Sequence, residues 1–168
     1  MKAVLGLGGN LGDPCGNIRA ALAAIANLCG TRLLRISRYY LTEAVEVAAP
    51  QPPYINCAAE IDTRLSPAAL LGACLGMESA LGRTRPGFKA PRTVDIDLLL
   101  YEGAVLSTDE LTLPHPGILR RAFVLHPLLD LYPEGTALGL PFCDSLPKVA
   151  DQRIEVYLPD NLRNVSEW

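Results

Sequence analysis

The sequence contains no apolar run approaching the roughly 20 residues that a membrane-spanning helix needs, so a soluble protein is expected. It opens with Met-Lys-Ala-Val-Leu-Gly-Leu-Gly and runs directly into a glycine turn. The longer apolar segment and small-residue cleavage site of a secretory signal are missing there, and the expected localisation is cytoplasmic. Cysteines are present but lack any pattern: Cys15, Cys29, Cys57, Cys74 and Cys143 are odd in number, scattered and without a C-x-x-C pair. That argues against a disulfide framework and against a zinc site. Histidine is scarce, with only His115 and His126 in the chain, and no Ser or Cys stands in a nucleophile motif. Positive charge is also lacking. A net charge of −3 and a pI near 5.4 give no general attraction to nucleic acid. Nor does the composition suit disorder, since 49% of residues are hydrophobic and the mean hydropathy is +0.21.

No internal repeat or low-complexity segment divides the 168 residues, a length that suits one domain and is short for a second, fused catalytic unit. A single domain over residues 1–168 is therefore expected, with residues 132–168 as its C-terminal extension. Residues 2–8 read as a short strand, followed by the turn Gly8-Gly9-Asn10-Leu11-Gly12 in which Gly9 and Asn10 suit a structural turn and Asn10 tolerates left-handed backbone. Asp13 is placed to cap a helix whose first residue is Pro14 and whose buried face is Ile18, Ala21, Leu22, Ile25 and Leu28. Residues 32–42 and 54–63 are rich in β-formers, separated by a loop holding Pro50, Pro52 and Pro53. Ser66 and Pro67 open a second helix that carries Leu70, Leu71, Cys74, Leu75, Glu78 and Leu81. A strand through Asp95 follows, then a turn at Glu102-Gly103 and a short Ala-Val-Leu strand. Residues 118–131 read as helical but interrupted at Pro127, and 153–158 as a last strand.

The order strand, helix, strand, strand, helix, strand predicts an α+β protein of the ferredoxin-like split βαβ type. It has a mainly antiparallel sheet with helices on one face, the other being left for ligands.

Within that frame the sharpest chemistry lies in Pro-Arg-Thr-Val-Asp-Ile-Asp-Leu-Leu-Leu-Tyr at 91–101. Successive side chains of a strand point to opposite faces, so Asp95 and Asp97 project together while Val94, Ile96 and Leu98 turn toward the core. Two like charges a few Å apart oppose each other's ionisation unless a cation lies between them. Oxygen ligands without nearby Cys or His favour Mg²⁺ or Mn²⁺, which combine one or two carboxylates with substrate phosphates. A solvated polar strand face gives the same alternation. Arg83, Arg85, Lys89 and Arg92 lie within ten residues just upstream of the acids. His115 is held between Pro114 and Pro116, shortly before Arg120 and Arg121. The glycine turn does not complete a dinucleotide fingerprint, because Gly6-Leu7-Gly8-Gly9-Asn10-Leu11 ends without the third glycine. Two acids, several arginines and a histidine together suit polyphosphate chemistry, where catalysis is mostly positioning and charge neutralisation.

Three blocks in order, Gly-Gly-Asn-Leu-Gly-Asp at 8–13, the 91–101 segment and Leu-Pro-His-Pro at 113–116 with Arg121-Ala-Phe-Val-Leu beyond, resemble the 6-hydroxymethyl-7,8-dihydropterin pyrophosphokinase family. The resemblance runs from residue 1 to about 130. It implies a monomeric enzyme of folate biosynthesis that moves diphosphate from ATP to the hydroxymethyl group of 6-hydroxymethyl-7,8-dihydropterin and releases AMP. By that resemblance Asp95 and Asp97 hold two Mg²⁺ ions, and Arg83 and Arg92 act as catalytic cations. Glu78, Arg85, Arg92, Leu98, Thr112, His115 and Arg121 bind ATP. Thr42, Asn56 and backbone near Val45 hold the pterin edge, while Tyr54 and Phe123 sandwich its ring. The chain departs from the family's usual pattern where Phe88-Lys89-Ala90-Pro91-Arg92 lacks a tryptophan, and where Glu110 replaces an arginine found in some members. Gly82 and Gly87 offer joints for a closing loop. Two rivals make different products: a nucleotidyl transferase on a similar sheet releases pyrophosphate, and a non-catalytic binding module turns nothing over.

Overall fold

Burial is nearly continuous along β1 (Lys2–Gly9), as in an inner strand, and a computed structural model describing residues 1–43, 51–82 and 91–159 places it there. After it come α1 (Pro14–Ala26), β2 (Thr31–Ile36), β3 (Tyr39–Thr42), β4 (Tyr54–Thr63), α2 (Pro67–Ala80) and β5 (Asp95–Tyr101). The main sheet runs β10-β3-β4-β1-β5, with β2 also paired to β4 and β10 being Ile154–Tyr157. Every pairing in it is antiparallel. Two small hairpins, β6 (Leu106–Ser107) with β7 (Thr112–Leu113) and β8 (Thr136–Ala137) with β9 (Leu140–Pro141), flank α3 (Ala122–Leu131) in sequence.

Both expected caps form. Asp13 accepts from the Gly16 N–H at 2.9 Å and Ser66 from the Ala69 N–H at 3.3 Å, each followed by proline at the first helical position. The expected strand at 32–42 is divided at Ser37-Arg38. There Ser37 Oγ accepts from the Ala58 N–H at 2.8 Å and donates to the Arg38 carbonyl, and side-chain bonds of this kind compete with the ladder.

Helices α1 and α2 share one face of the sheet. Ile18, Leu22, Ile25, Leu70 and Cys74 pack there against Leu5, Leu7, Cys57, Ile61, Ile96 and Leu98. The opposite face is not left wholly open as the pattern suggested. Val4, Ala58, Leu99 and Leu100 pack beneath Leu125, Leu128 and Leu131 of α3, a second core. Each leucine so buried contributes about 1.5–3 kcal/mol, which holds α3 firmly to the sheet.

Helix α3 also differs from expectation at its start. It continues through Pro127, and the break in 118–131 falls at Arg121, whose φ of −129° and ψ of 115° are extended. A short 3₁₀ turn, Ile118–Arg120, precedes that residue. Pro127 lies in a ten-residue helix buried along Val124, Leu125 and Leu128, and tertiary packing of this kind overrides a single unfavourable residue.

Candidate active site

The α3-facing side of β1 carries Val4, then Gly6, then Gly8. The last two positions carry no side chains, and α3 packs over the Val4 end, where Val4 clusters with Leu125 and Leu128. A cavity of about 910 Å³ occupies the remainder. Neighbouring strands supply its chemistry through their register. On one side Gly8 pairs with Asp95 and Gly6 with Asp97 of β5; on the other Gly8 pairs with Asn56 and Gly6 with Ala58 of β4. Strands lie about 4.8 Å apart, so the acids and Asn56 stand about 10 Å from each other across bare glycine backbone.

Asp95 and Asp97 project to this side together. Along the strand they are about 7 Å apart at the backbone. Asp97 is pushed up to about 6, first by burial and then by the Asp95 charge, with Glu78 adding to the effect and Arg121 and Arg92 opposing it. Asp95 forms an ion pair with the Arg92 guanidinium. Arg92 in turn is located by Asn10, whose Oδ1 accepts from the Arg92 N–H at 2.8 Å while its own N–H donates to the Arg92 carbonyl at 2.9 Å. Asn10 Nδ2 continues to the Pro52 carbonyl at 3.1 Å. Asn10 is thus a buried clamp between loops and does not adopt left-handed backbone. Gly9 is the last residue of β1, and a Cβ there would meet the Thr93 carbonyl oxygen at 2.4 Å, so the two segments touch because it is glycine.

Strand β5 is an edge of the sheet, and Glu78 from α2 covers part of it by accepting the Ile96 N–H at 2.7 Å. Leu71 and Leu75 of α2, Leu111, and Thr112 of β7 continue the cavity past this edge. Leu98 lines it as well, though its side chain belongs to the α1/α2 core. Beyond the acids, Gly117 donates its N–H to His115 Nδ1 at 3.0 Å. In a neutral ring that leaves Nε2 as the protonated nitrogen. Burial and then the Arg121 charge keep the His115 pKa below its usual value, against a smaller pull from Asp95. The Arg121 guanidinium lies over Gly117, where a Cβ would come within 3.0 Å, and over the Phe123 ring at 5.6 Å.

At the other end, Asn56 Nδ2 donates to Thr42 Oγ1 at 2.9 Å, and both residues are buried. Tyr54 rises from the sheet and Phe123 comes from α3 to line the same space. A flat polar heterocycle would meet aromatic faces there and amide or hydroxyl groups at its edge. His126 lies outside, its ring 6.0 Å from that of Tyr40.

Thr42, Tyr54, Asn56, Glu78, Arg92, Asp95, Asp97, Leu98, Thr112, His115, Arg121 and Phe123, taken from separate stretches of sequence, therefore line one cavity. Val45, Arg83, Arg85, Gly87, Phe88 and Lys89 lie outside the described residues. Glu110 lines the cavity beside Asp109. Sequence reasoning missed Gly6 and Gly8 as a floor, although their alternation on a strand was the available signal, and it missed Gln152, which also borders the cavity.

The donor set can be tested against a divalent cation. Among the described residues no three Cys, His, Asp or Glu side chains converge on one point, so a site built wholly from protein ligands, as zinc prefers, does not fit. Two carboxylates facing an open space do fit Mg²⁺, which keeps several waters and takes remaining oxygens from phosphate.

The chain is similar to known proteins over most of its length. Residues 4–133 match the family described as 7,8-dihydro-6-hydroxymethylpterin-pyrophosphokinase. The 2-amino-4-hydroxy-6-hydroxymethyldihydropteridine pyrophosphokinase of Methylorubrum extorquens is 40% identical over 154 residues, which cover 92% of this chain and 97% of that protein. The folic acid synthesis protein fol1 of Schizosaccharomyces pombe is 38% identical over 92% of this chain, but the chain spans only 21% of its length. A crystal structure of Plasmodium falciparum HPPK-DHPS shares the fold at a TM-score of 0.63 and 14% identity, covering 89% of this chain and 44% of that one.

Proposed function

We propose, because this chain belongs to the 7,8-dihydro-6-hydroxymethylpterin-pyrophosphokinase family, a reaction that its cavity can carry out residue by residue. The chain is a pyrophosphokinase of folate biosynthesis. It transfers diphosphate from ATP to the hydroxyl of 6-hydroxymethyl-7,8-dihydropterin, giving the pterin diphosphate and AMP, and it works as a cytoplasmic monomer.

Tyr54 and Phe123 hold the pterin ring between them, and Asn56 with Thr42 reads its edge. The hydroxymethyl group then points across Gly8 and Gly6, which carry no side chains, toward β5. ATP lies along the β5 edge, its base between α2 and the β6–β7 hairpin and its phosphates turned toward the acids. Asp95 and Asp97 hold two Mg²⁺ ions. When bound, Mg²⁺ neutralises phosphate charge and lowers the pKa of a hydroxyl that it contacts. Arg92 meets the negative charge that develops as the pterin oxygen attacks the β-phosphorus and AMP leaves, and Arg121 grips the triphosphate. His115 donates from Nε2 to a phosphate oxygen. Arg83 and Arg85 complete the cationic set, and backbone at Val45 completes the pterin edge. Most of the rate comes from alignment of the two substrates, since a bimolecular transfer becomes effectively unimolecular when both are held in line.

The observation that carries this reading is the shared facing of Asp95 and Asp97 onto a glycine floor whose far side is Asn56 and Tyr54. Incubating the protein with ATP, Mg²⁺ and 6-hydroxymethyl-7,8-dihydropterin tests it. Equal amounts of AMP and pterin diphosphate are expected. Formation of ADP, release of pyrophosphate, or no product at all would overturn it.

A further inference from the structure

Arg121 is the single extended residue between the 3₁₀ turn Ile118–Arg120 and helix α3. An isolated residue at such a junction has two soft dihedrals, and its side chain swings with them. Yet both peptide planes beside it are held by one side chain. Gln152 Oε1 accepts from the Ala122 N–H at 2.8 Å, and Gln152 Nε2 donates to the Arg120 carbonyl at 2.9 Å. The first bond fixes the peptide after Arg121 and the second fixes the peptide before it. Orientation of the amide is set by its partners, because an N–H can only donate and a carbonyl can only accept. The same contact caps α3, whose N-cap residue Arg121 makes no side-chain cap of its own.

Gln152 is itself braced from both directions. Its N–H donates to the Val149 carbonyl at 3.0 Å, and Val149 is buried in the α3 core. Two residues later the chain enters β10, where Ile154 pairs with Thr42 of β3. The strap thus runs from the α3 core past Arg121 to the strand bearing Thr42. It lies beyond residues 4–133, the stretch that matches the family.

We infer that Gln152 is a positioning residue for Arg121: it locks the backbone of Arg121 so that the guanidinium, laid across Gly117 and Phe123, is presented to the phosphates of bound ATP. The role rests on the assignment of Arg121 to the triphosphate made above. It gives the C-terminal segment a function in nucleotide binding, exerted through the Arg121 backbone.

Binding measurements on the whole chain separate this from mere structural support. Dissociation constants for magnesium α,β-methylene-ATP and for AMP are measured by calorimetry on wild type, Gln152→Ala, Gln152→Met and Arg121→Ala, with melting temperatures alongside. A hydrogen bond is worth a factor of roughly two to ten in an equilibrium. Loss of both is expected to weaken the triphosphate analogue about tenfold and AMP less than twofold. Gln152→Met keeps side-chain length without either bond, and the same split is expected there if Gln152→Ala unfolds. Unchanged affinity for the analogue in the Gln152 variants, while Arg121→Ala is weakened, overturns the inference alone. Equal weakening of both nucleotides overturns it in favour of a general structural role. Unchanged affinity in Arg121→Ala overturns the triphosphate assignment itself.

Discussion

Gly8 and Asn56 face each other across β1 and β4 so closely that a Cβ on Gly8 would lie 2.5 Å from Asn56 Oδ1. The Asn56 carboxamide therefore occupies space that a side chain at position 8 would fill. Gly8→Ala is expected to push Asn56 off its bond to Thr42, at a cost of about 1–3 kcal/mol typical of overpacking. Pterin affinity should fall roughly tenfold or more by fluorescence titration. Unaltered affinity would show that Asn56 does not hold the ligand.

Asn10→Ala removes the acceptor for the Arg92 N–H and the link to the Pro52 carbonyl. A buried donor left without its partner costs about 1–3 kcal/mol, and Arg92 is no longer located beside Asp95. Lower melting temperature and lower turnover are expected together. Asn10→Asp keeps the acceptor but not the donor and should fall between wild type and alanine. A stable, fully active Asn10→Ala would mean that the clamp does not set Arg92.

The buried carboxylate of Glu60 gives the protein a specific acid sensitivity. Burial alone would raise its pKa above the ordinary 4.5, but bonds from Arg35 at 2.6 Å and Tyr132 at 2.9 Å, with the Arg35 and Lys2 charges, bring it below. A carboxylate whose folded pKa is depressed contributes stability above its unfolded pKa and loses it as pH falls through the folded one. Denaturant melts of wild type should therefore weaken progressively as pH drops below 4.5, and Glu60→Gln should be less stable at neutral pH yet flatter over that acid range. Parallel curves for the two proteins would remove Glu60 as the cause.

Much of this site is written locally in the chain. Alternation alone put Asp95 and Asp97 on one side of a strand, and Asp13-Pro14 and Ser66-Pro67 marked both helix starts where they occur. What could not be read is what depends on distant partners. The cavity exists because Gly6 and Gly8 leave α3 nothing to pack on, which requires knowing that α3 crosses that face at all. Arg121 is the break in 118–131, not Pro127, because a glutamine from 31 positions downstream caps the helix there. Asn10 was legible as a turn residue, but its use as a clamp on Arg92, 82 positions away, was not.

The account depends most on the acid pair serving the metal and the phosphates rather than the fold. Its most direct measurement is the rate of AMP formation by Asp97→Ala beside the melting temperature of the same sample. Turnover is expected to fall by about three orders of magnitude or more, equivalent to at least about 4 kcal/mol of lost transition-state stabilisation. The melting temperature should stay level or rise, because the group removed is a carboxyl whose ionisation is opposed first by burial and then by the Asp95 charge. Near wild-type turnover with its Mg²⁺ dependence intact would contradict the account.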